Sequence, residues 1–150
     1  MKITIDPGIN GTGWALWKSW KLVDTGIFYA PAKLDWIEKC QAIESKCIYL
    51  ERENPITDCY LEYPAYFDSV GGNMVAKRGD LLKLTFLVGL IYAVFLKSHL
   101  IPVRTWKGQL PKDVVIQRIK QLLPPETYMN FKTHVWDAVG IGLHVKGDFL

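Results

Sequence analysis

The stretch Met1-Lys2-Ile3-Thr4-Ile5-Asp6-Pro7-Gly8-Ile9-Asn10-Gly11-Thr12-Gly13-Trp14 decides how the rest of the chain is read. Ile3 and Ile5 alternate with Thr4 and Asp6, the period of a β-strand. Pro7-Gly8 stops that strand, and Gly11 and Gly13 permit a tight reversal into a second apolar run. An acid at the end of a buried strand is poorly placed for packing. Ionised and partly dehydrated, Asp6 needs a cation or strong hydrogen-bond donors. It either caps the turn through backbone amides or belongs to a site to which the chain brings further acids.

Outward from this stretch, Gly13–Trp17 and Leu22–Tyr29 are short apolar and aromatic runs separated by Lys18-Ser19-Trp20-Lys21. With the first strand they predict an antiparallel three-stranded meander, closed by Pro31. From about Leu34 to Arg52, apolar residues recur at helical spacing among Lys and Glu, an amphipathic helix ended by Asn54-Pro55. Ile56-Thr57-Asp58-Cys59-Tyr60-Leu61-Glu62 then reads as a fourth strand, and the crossover helix is long enough to make it parallel to the first. Its terminal Glu62, followed by Tyr63-Pro64, repeats the order of apolar strand, acid and proline. Parallel neighbours carry both acids at their carboxyl ends, where open α/β sheets build their sites. Two carboxylates there repel unless they share a proton or a cation.

Ala65 to Arg78 is polar, Gly-containing and partly aromatic, and reads as a loop beside Glu62. Tyr66 and Phe67 are candidates for stacking on an unpaired base, and Lys77 and Arg78 for holding phosphates; the alternative is aromatic rings folded back into the core. Asp80 to Ser98 is a helix apolar nearly all round, which needs cover on more than one side and so suits a symmetric partner. Ile101 to Trp106 is expected as a short fifth strand, at an edge because of Pro102. Lys107 to Lys112 is a basic turn, and Pro111 opens a helix running to about Leu123. The last element, Thr133 to His144, reads as a helix capped by Thr133. His134 and Asp137, three apart, leave its first turn on the same side. A His near a helix end is commonly structural. The pair gains meaning because two strand ends and one helix start then supply four candidate ligands.

Composition sets the bounds. With 150 residues and 49% hydrophobic content, residues 1–150 form one globular domain with material for a proper core. Met1-Lys2 leads straight into a strand pattern rather than a signal peptide. The apolar run Leu84 to Leu96 is short for a bilayer and is bracketed by Lys83 and Lys97, so no membrane is expected. Cys40, Cys47 and Cys59 have no metal-ligand spacing and no even pairing, which points to a reduced, cytoplasmic setting without structural zinc. Net charge is +3, but the first 68 residues carry seven basic and ten acidic side chains, the rest eleven and five. A basic second half facing an acidic pocket suits a polyanion brought to metal ions, although surface lysines can also simply scatter.

Asp6-Pro7-Gly8 with Thr12-Gly13-Trp14, Leu61-Glu62-Tyr63-Pro64 on the fourth strand and His134-x-x-Asp137-Ala138 near the end together resemble the RuvC family of Holliday junction resolvases, within the RNase H-like (retroviral integrase) superfamily. The resemblance covers essentially the whole chain. It implies an α/β, RNase H-like fold: a mixed five-stranded sheet, strands 1–3 antiparallel and strands 4 and 5 parallel to strand 1, flanked by helices. It implies Asp6, Glu62 and Asp137 as metal-ligating carboxylates, with His134 where family members carry Asp or His. It also implies a homodimer, here through the apolar helix at about 80–98, that nicks two symmetric strands of a four-way DNA junction with Mg²⁺ or Mn²⁺, in a bacterial or phage-infected cell. The segments after Glu62 and from Trp106 to Lys112 depart from the bacterial pattern, which leaves base-stacking residues and cutting sequence open.

The chemistry agrees with the resemblance. Phosphodiester hydrolysis needs an activated water, neutralised charge on the phosphorane and a stabilised leaving oxygen, which two cations roughly 4 Å apart provide. Three carboxylates and one imidazole suffice to hold them, and the imidazole favours Mn²⁺. His134 is alternatively a proton handler, and Lys107 or Lys112 can steady the scissile phosphate. The rival readings are a related nuclease acting on flaps, R-loops or other branched DNA with less selectivity, and a catalytically silent binding module on the same fold.

Overall fold

The computed structural model describes residues 1–64 and 74–149, with the backbone alone from 74 to 78. Five strands, β1 (Lys2–Asp6), β2 (Gly11–Lys18), β3 (Lys21–Tyr29), β4 (Asp58–Tyr63) and β5 (Ser98–Pro102), form one sheet in the order β3-β2-β1-β4-β5. β1, β2 and β3 pair antiparallel, while β4 runs parallel to β1 and β5 parallel to β4, as the sequence predicts. Two helices make the crossovers between parallel strands. α1 (Trp36–Glu53) precedes β4 and α2 (Met74–Val94) precedes β5. After β5 come α3 (Val103–Trp106), α4 (Lys112–Leu122), α5 (Pro125–Tyr128) and α6 (Thr133–Lys146).

Strand alternation divides the core in two. Ile3, Ile5, Trp14 and Leu16 face one side and pack with Cys40, Ile43 and Cys47 of α1 and Leu87, Val88 and Ile91 of α2. Ala15 and Trp17 face the other side, with Val115 and Ile119 of α4 and Val135, Ala138, Val139 and Ile141 of α6. Thr4 joins that second layer to the sheet. Its hydroxyl donates to the Ala138 carbonyl at 2.7 Å and accepts from Trp17 Nε1 at 2.9 Å, so a buried polar side chain is fully satisfied. The α6 backbone lies very close to the sheet. A Cβ on Gly13 would collide with the His134 backbone, and one on Gly142 with the Trp17 ring. Gly13 lets the start of α6 lie against β2 beside the end of β1, and Gly142 lets the later part of α6 close over Trp17.

Local signals fix the ends of α1. Asp35 accepts from the Glu38 amide at 2.8 Å and the Glu38 carboxylate accepts from the Asp35 amide at 2.9 Å, a complete capping box. Other boundaries differ from expectation. β5 begins and ends earlier than Ile101–Trp106: Pro102 has no N–H to extend the ladder, and Val103–Trp106 coil into the one-turn α3. β5 is nevertheless the edge strand. The apolar helix starts at Met74 and stops at Val94, its end satisfied by the Ser98 hydroxyl donating to the Tyr92 carbonyl at 3.0 Å. Residues 74–78, expected in a loop, therefore belong to α2. Tyr66 and Phe67 lie outside the described residues, as do the side chains of Lys77 and Arg78. The cap residue of α6 is Lys132, not Thr133, and the Lys132 side chain makes no cap hydrogen bond to the helix amides.

All three cysteines are free and buried. No helix among the described residues is long and apolar enough to cross a membrane.

Candidate active site

Asp6 ends β1 and Glu62 stands one residue before the end of β4. The parallel register pairs Ile5 with Leu61, so the two acids follow side by side and alternation turns both toward the α6 layer. The turn after Asp6 is pinned by Thr12, whose buried hydroxyl accepts from the Gly8 amide at 3.2 Å and donates to the Gly8 carbonyl at 3.0 Å. α6 delivers His134 and Asp137 from its first turn. Lys107 follows α3 and Lys112 opens α4. Six of the residues singled out in the sequence thus share one end of the sheet.

The contacts among them are specific. His134 Nδ1 donates to Asp6 Oδ2 at 2.8 Å. Lys112 Nζ donates to Asp137 Oδ2 at 2.5 Å and to the Thr133 carbonyl at 3.1 Å. The Lys107 ammonium stands between two acids, 3.7 Å from Glu62 Oε2 and 3.6 Å from Asp137 Oδ1. Glu62 Oε2 also accepts from Trp106 Nε1 at 2.8 Å. Sequence reasoning placed Trp106 in a strand and missed this contact. The available signal was a tryptophan just before a basic turn, since a buried indole N–H requires an acceptor.

Electrostatics follow from the crowding. Asp6 and Asp137 are each 7% exposed. Burial raises the Asp6 carboxyl above its ordinary value; the Asp137 charge adds to this, while the His134 hydrogen bond opposes it. Burial, reinforced by the Asp6 charge, lifts Glu62 to about 7 against the pull of Lys107 and Trp106. The bond to Asp6 raises His134. Three acids are thus held together by one imidazole and two ammonium groups. The acids are therefore compensated in this structure by side chains of the chain itself, through Lys107, Lys112 and His134.

The donor set fits a divalent ion: carboxylate oxygens are the hard ligands that Mg²⁺ and Mn²⁺ prefer, and an imidazole stands beside them. Lys107 marks a position between Glu62 and Asp137 that already draws positive charge. Among the described residues, no three His, Cys, Asp or Glu side chains converge closely enough to hold a metal ion. The Lys107 ammonium lies between Glu62 and Asp137, so an ion held by both acids would need Lys107 to move aside.

No family model matches the sequence, and no curated protein matches it. Solved structures do match in shape. A Thermus thermophilus RuvC in complex with a Holliday junction substrate aligns with a TM-score of 0.67 and 14% identity, over 95% of this chain and 89% of that one. A second T. thermophilus RuvC structure aligns with a TM-score of 0.56 and 15% identity, over 98% and 96% of the two chains. The strand order, the parallel β1–β4–β5 pairing and the helices on both faces belong to a RuvC-like, RNase H-like fold.

Proposed function

We propose that the protein is a divalent-metal-dependent endonuclease that resolves four-way DNA junctions by paired symmetric nicks. The observation that carries this reading is the gathering of Asp6, Glu62, His134 and Asp137 at one end of a RuvC-like sheet. A Holliday junction is the substrate in the T. thermophilus complex, and we extend that substrate to this chain.

Asp6, Glu62 and Asp137 would hold the ions, with His134 a fourth ligand or the group that handles a proton at the attacking water. Mg²⁺ or Mn²⁺, two ions per site, would supply, when bound by these residues, the neutralising charge and the acidified water that phosphodiester hydrolysis needs. Trp106 holds the Glu62 carboxylate in one orientation through its indole N–H. Lys107 and Lys112 neutralise the acids before substrate arrives, and then turn to the phosphate oxygens, for which they are suited donors. His134, bonded to Asp6 through Nδ1, keeps a ring orientation set by that acid.

Paired nicks require two sites related by symmetry. α2 buries Leu87, Val88 and Ile91 on the sheet and leaves Leu82 71%, Phe86 44% and Tyr92 45% exposed. Trp36 of α1 meets Phe86 edge-on at 5.6 Å, which widens the apolar surface. A second copy packed across this surface gives the homodimer its two-fold axis.

The test is direct. Purified protein with Mg²⁺ or Mn²⁺ is incubated with a synthetic four-way junction, a flap, an R-loop and a linear duplex. Symmetric paired nicks on the junction are expected. Cleavage mainly of flaps or R-loops would give the less selective branched-DNA nuclease instead, and no cleavage of any substrate would remove the nuclease reading.

A further inference from the structure

Beside the acidic cluster lies a hollow of about 720 Å³, lined by Tyr29, Lys112, Phe131, Lys132, His134 and Trp136 among others. It continues into a second hollow of about 290 Å³ that shares Ile27, Tyr29, Phe131 and Lys132 with the first. Together they form a trough between the end of β3 and the segment entering α6. Among the described residues, no Asp or Glu lines either part. The site's acids stand on one side of His134 and a carboxylate-free, lysine-bearing trough on the other.

The aromatic rings divide into two groups. Trp136 is buried and packs against Tyr128 and, edge-on at 5.1 Å, Phe131, so it serves as the floor. Tyr29 is 52% exposed at the rim, and the Lys132 ammonium lies 5.6 Å from the centre of its ring. Lys46 Nζ donates to the Tyr29 carbonyl at 2.6 Å, which fixes the backbone that carries the ring. An anchored, exposed ring next to cations, in a trough without acids, matches what unpaired nucleic acid requires: a stacking surface and a neutraliser for its phosphates.

We propose that this trough holds the single strand of DNA leaving the scissile phosphate, with a base stacked on Tyr29 and a phosphate at Lys132. The proposal rests on the nuclease reading and adds to it a path for the strand. The size of the hollow falls in the range of small-ligand sites, roughly 300–1,000 Å³, room enough for nucleotides of an unpaired strand. His134 lines both the trough and the acidic cluster, so strand and site are continuous.

The experiment measures binding of a labelled four-way junction and a labelled single-stranded oligonucleotide by fluorescence anisotropy, with chelator present so that nothing is cut. Tyr29→Ala is expected to raise Kd for the single strand roughly 5- to 100-fold. Lys132→Ala is expected to lower the slope of log Kd against log salt by about 0.7. Lys18→Ala, at the far end of β2, should leave both unchanged. A 5-iodouracil base next to the scissile phosphate should crosslink to Tyr29. Tyr29 and Lys132 are exposed, so both variants should fold, which circular dichroism checks. If the parent protein cuts junctions while both variants bind as the parent does, the trough proposal fails alone. If the parent binds no DNA of any form, the nuclease reading fails with it. Displacement of the oligonucleotide by polyglutamate at equal charge concentration would overturn the proposal in favour of an acidic peptide.

Discussion

The indole N–H of Trp106 donates to Glu62 Oε2 at 2.8 Å across 44 residues of sequence. The ring that makes this bond is itself held on two sides: Phe149 packs on it at 5.8 Å, and a Cβ on Gly140 of α6 would collide with it. Glu62 is thereby aimed by a rigid group. Trp106→Phe keeps most of the packing and removes only the donor. Loss of such an orienting partner is expected to weaken metal binding and cleavage about 10- to 100-fold. Titration with Mn²⁺ by calorimetry and junction cleavage check this, and a Tm near that of the parent separates positioning from folding.

Asp6 is the acid to which most of the site refers, through His134 and through the charges on Glu62 and Asp137. Asp6→Asn keeps the shape and an acceptor for His134 but removes the charge. Cleavage should be abolished while junction binding, measured by gel shift, persists. Full cleavage by this variant would take Asp6 out of the site.

The pH dependence of stability follows from the raised groups. Glu62, lifted to about 7 by burial and by Asp6, binds its proton more tightly folded than unfolded, so its contribution is lost as pH rises toward 7 and above. His134, raised by its bond to Asp6, acts in the same direction: the charged pair is fully present below the unfolded value and is lost as pH rises through the raised one. Asp58 works oppositely, because its bond to Lys2 holds it low, but its contribution fades only below its ordinary value of 3.8. Between pH 5 and 8.5 the metal-free protein should therefore lose Tm, by roughly 3–10 °C. Added Mg²⁺ should flatten the slope, since the ion replaces the protons. Calorimetric scans with chelator and with Mg²⁺ measure both.

Lys107 stands where positive charge is most needed, between Glu62 and Asp137. Lys107→Met should leave those acids uncompensated, lower Tm in chelator, and strengthen Mn²⁺ binding in the absence of DNA by about 10-fold. Cleavage should fall, because the phosphate loses a donor. Unchanged Mn²⁺ affinity would show that Lys107 does not compete with the ion.

The parts of the site that were legible in the sequence are those set by short-range periodicity. Alternation in Ile3-Thr4-Ile5-Asp6 and in Cys59-Tyr60-Leu61-Glu62 fixes which face each acid takes, and Pro7 and Pro64 fix where the strands stop. The i, i+3 spacing puts His134 and Asp137 on one side of α6. What was not legible depends on partners distant in sequence. The short α3 arises because Pro102 ends the ladder, and only then does Trp106 reach Glu62. The pairing of His134 with Asp6 spans 128 residues, and the Lys107 position depends on two acids from different elements. The early start of α2 was hidden by Gly79 and by the polar Lys77-Arg78, where local propensity favours a loop.

The proposed pairing of two sites turns on the exposed face of α2. Phe86 is 44% exposed with the Trp36 ring against its edge, and Leu82 is 71% exposed on the same helix, four residues earlier. Large apolar side chains grouped in this way on a helix whose other stripe packs on the sheet mark an interaction surface, and the partner proposed for it is a second copy. Phe86→Glu introduces a charge that a two-fold contact would double across the axis, with like charges facing each other in a dry interface. Sedimentation equilibrium should then give a monomer, with Tm close to the parent value because Phe86 is not part of the buried core. The monomer keeps every residue of one acidic site, so it should still nick a junction strand in Mg²⁺, slowly and without pairing. A supercoiled cruciform plasmid reads the difference: the parent should give linear product from coupled nicks within one binding event, the variant open circles alone. A dimeric Phe86→Glu protein that yields linear product would place the two-fold contact elsewhere on the surface.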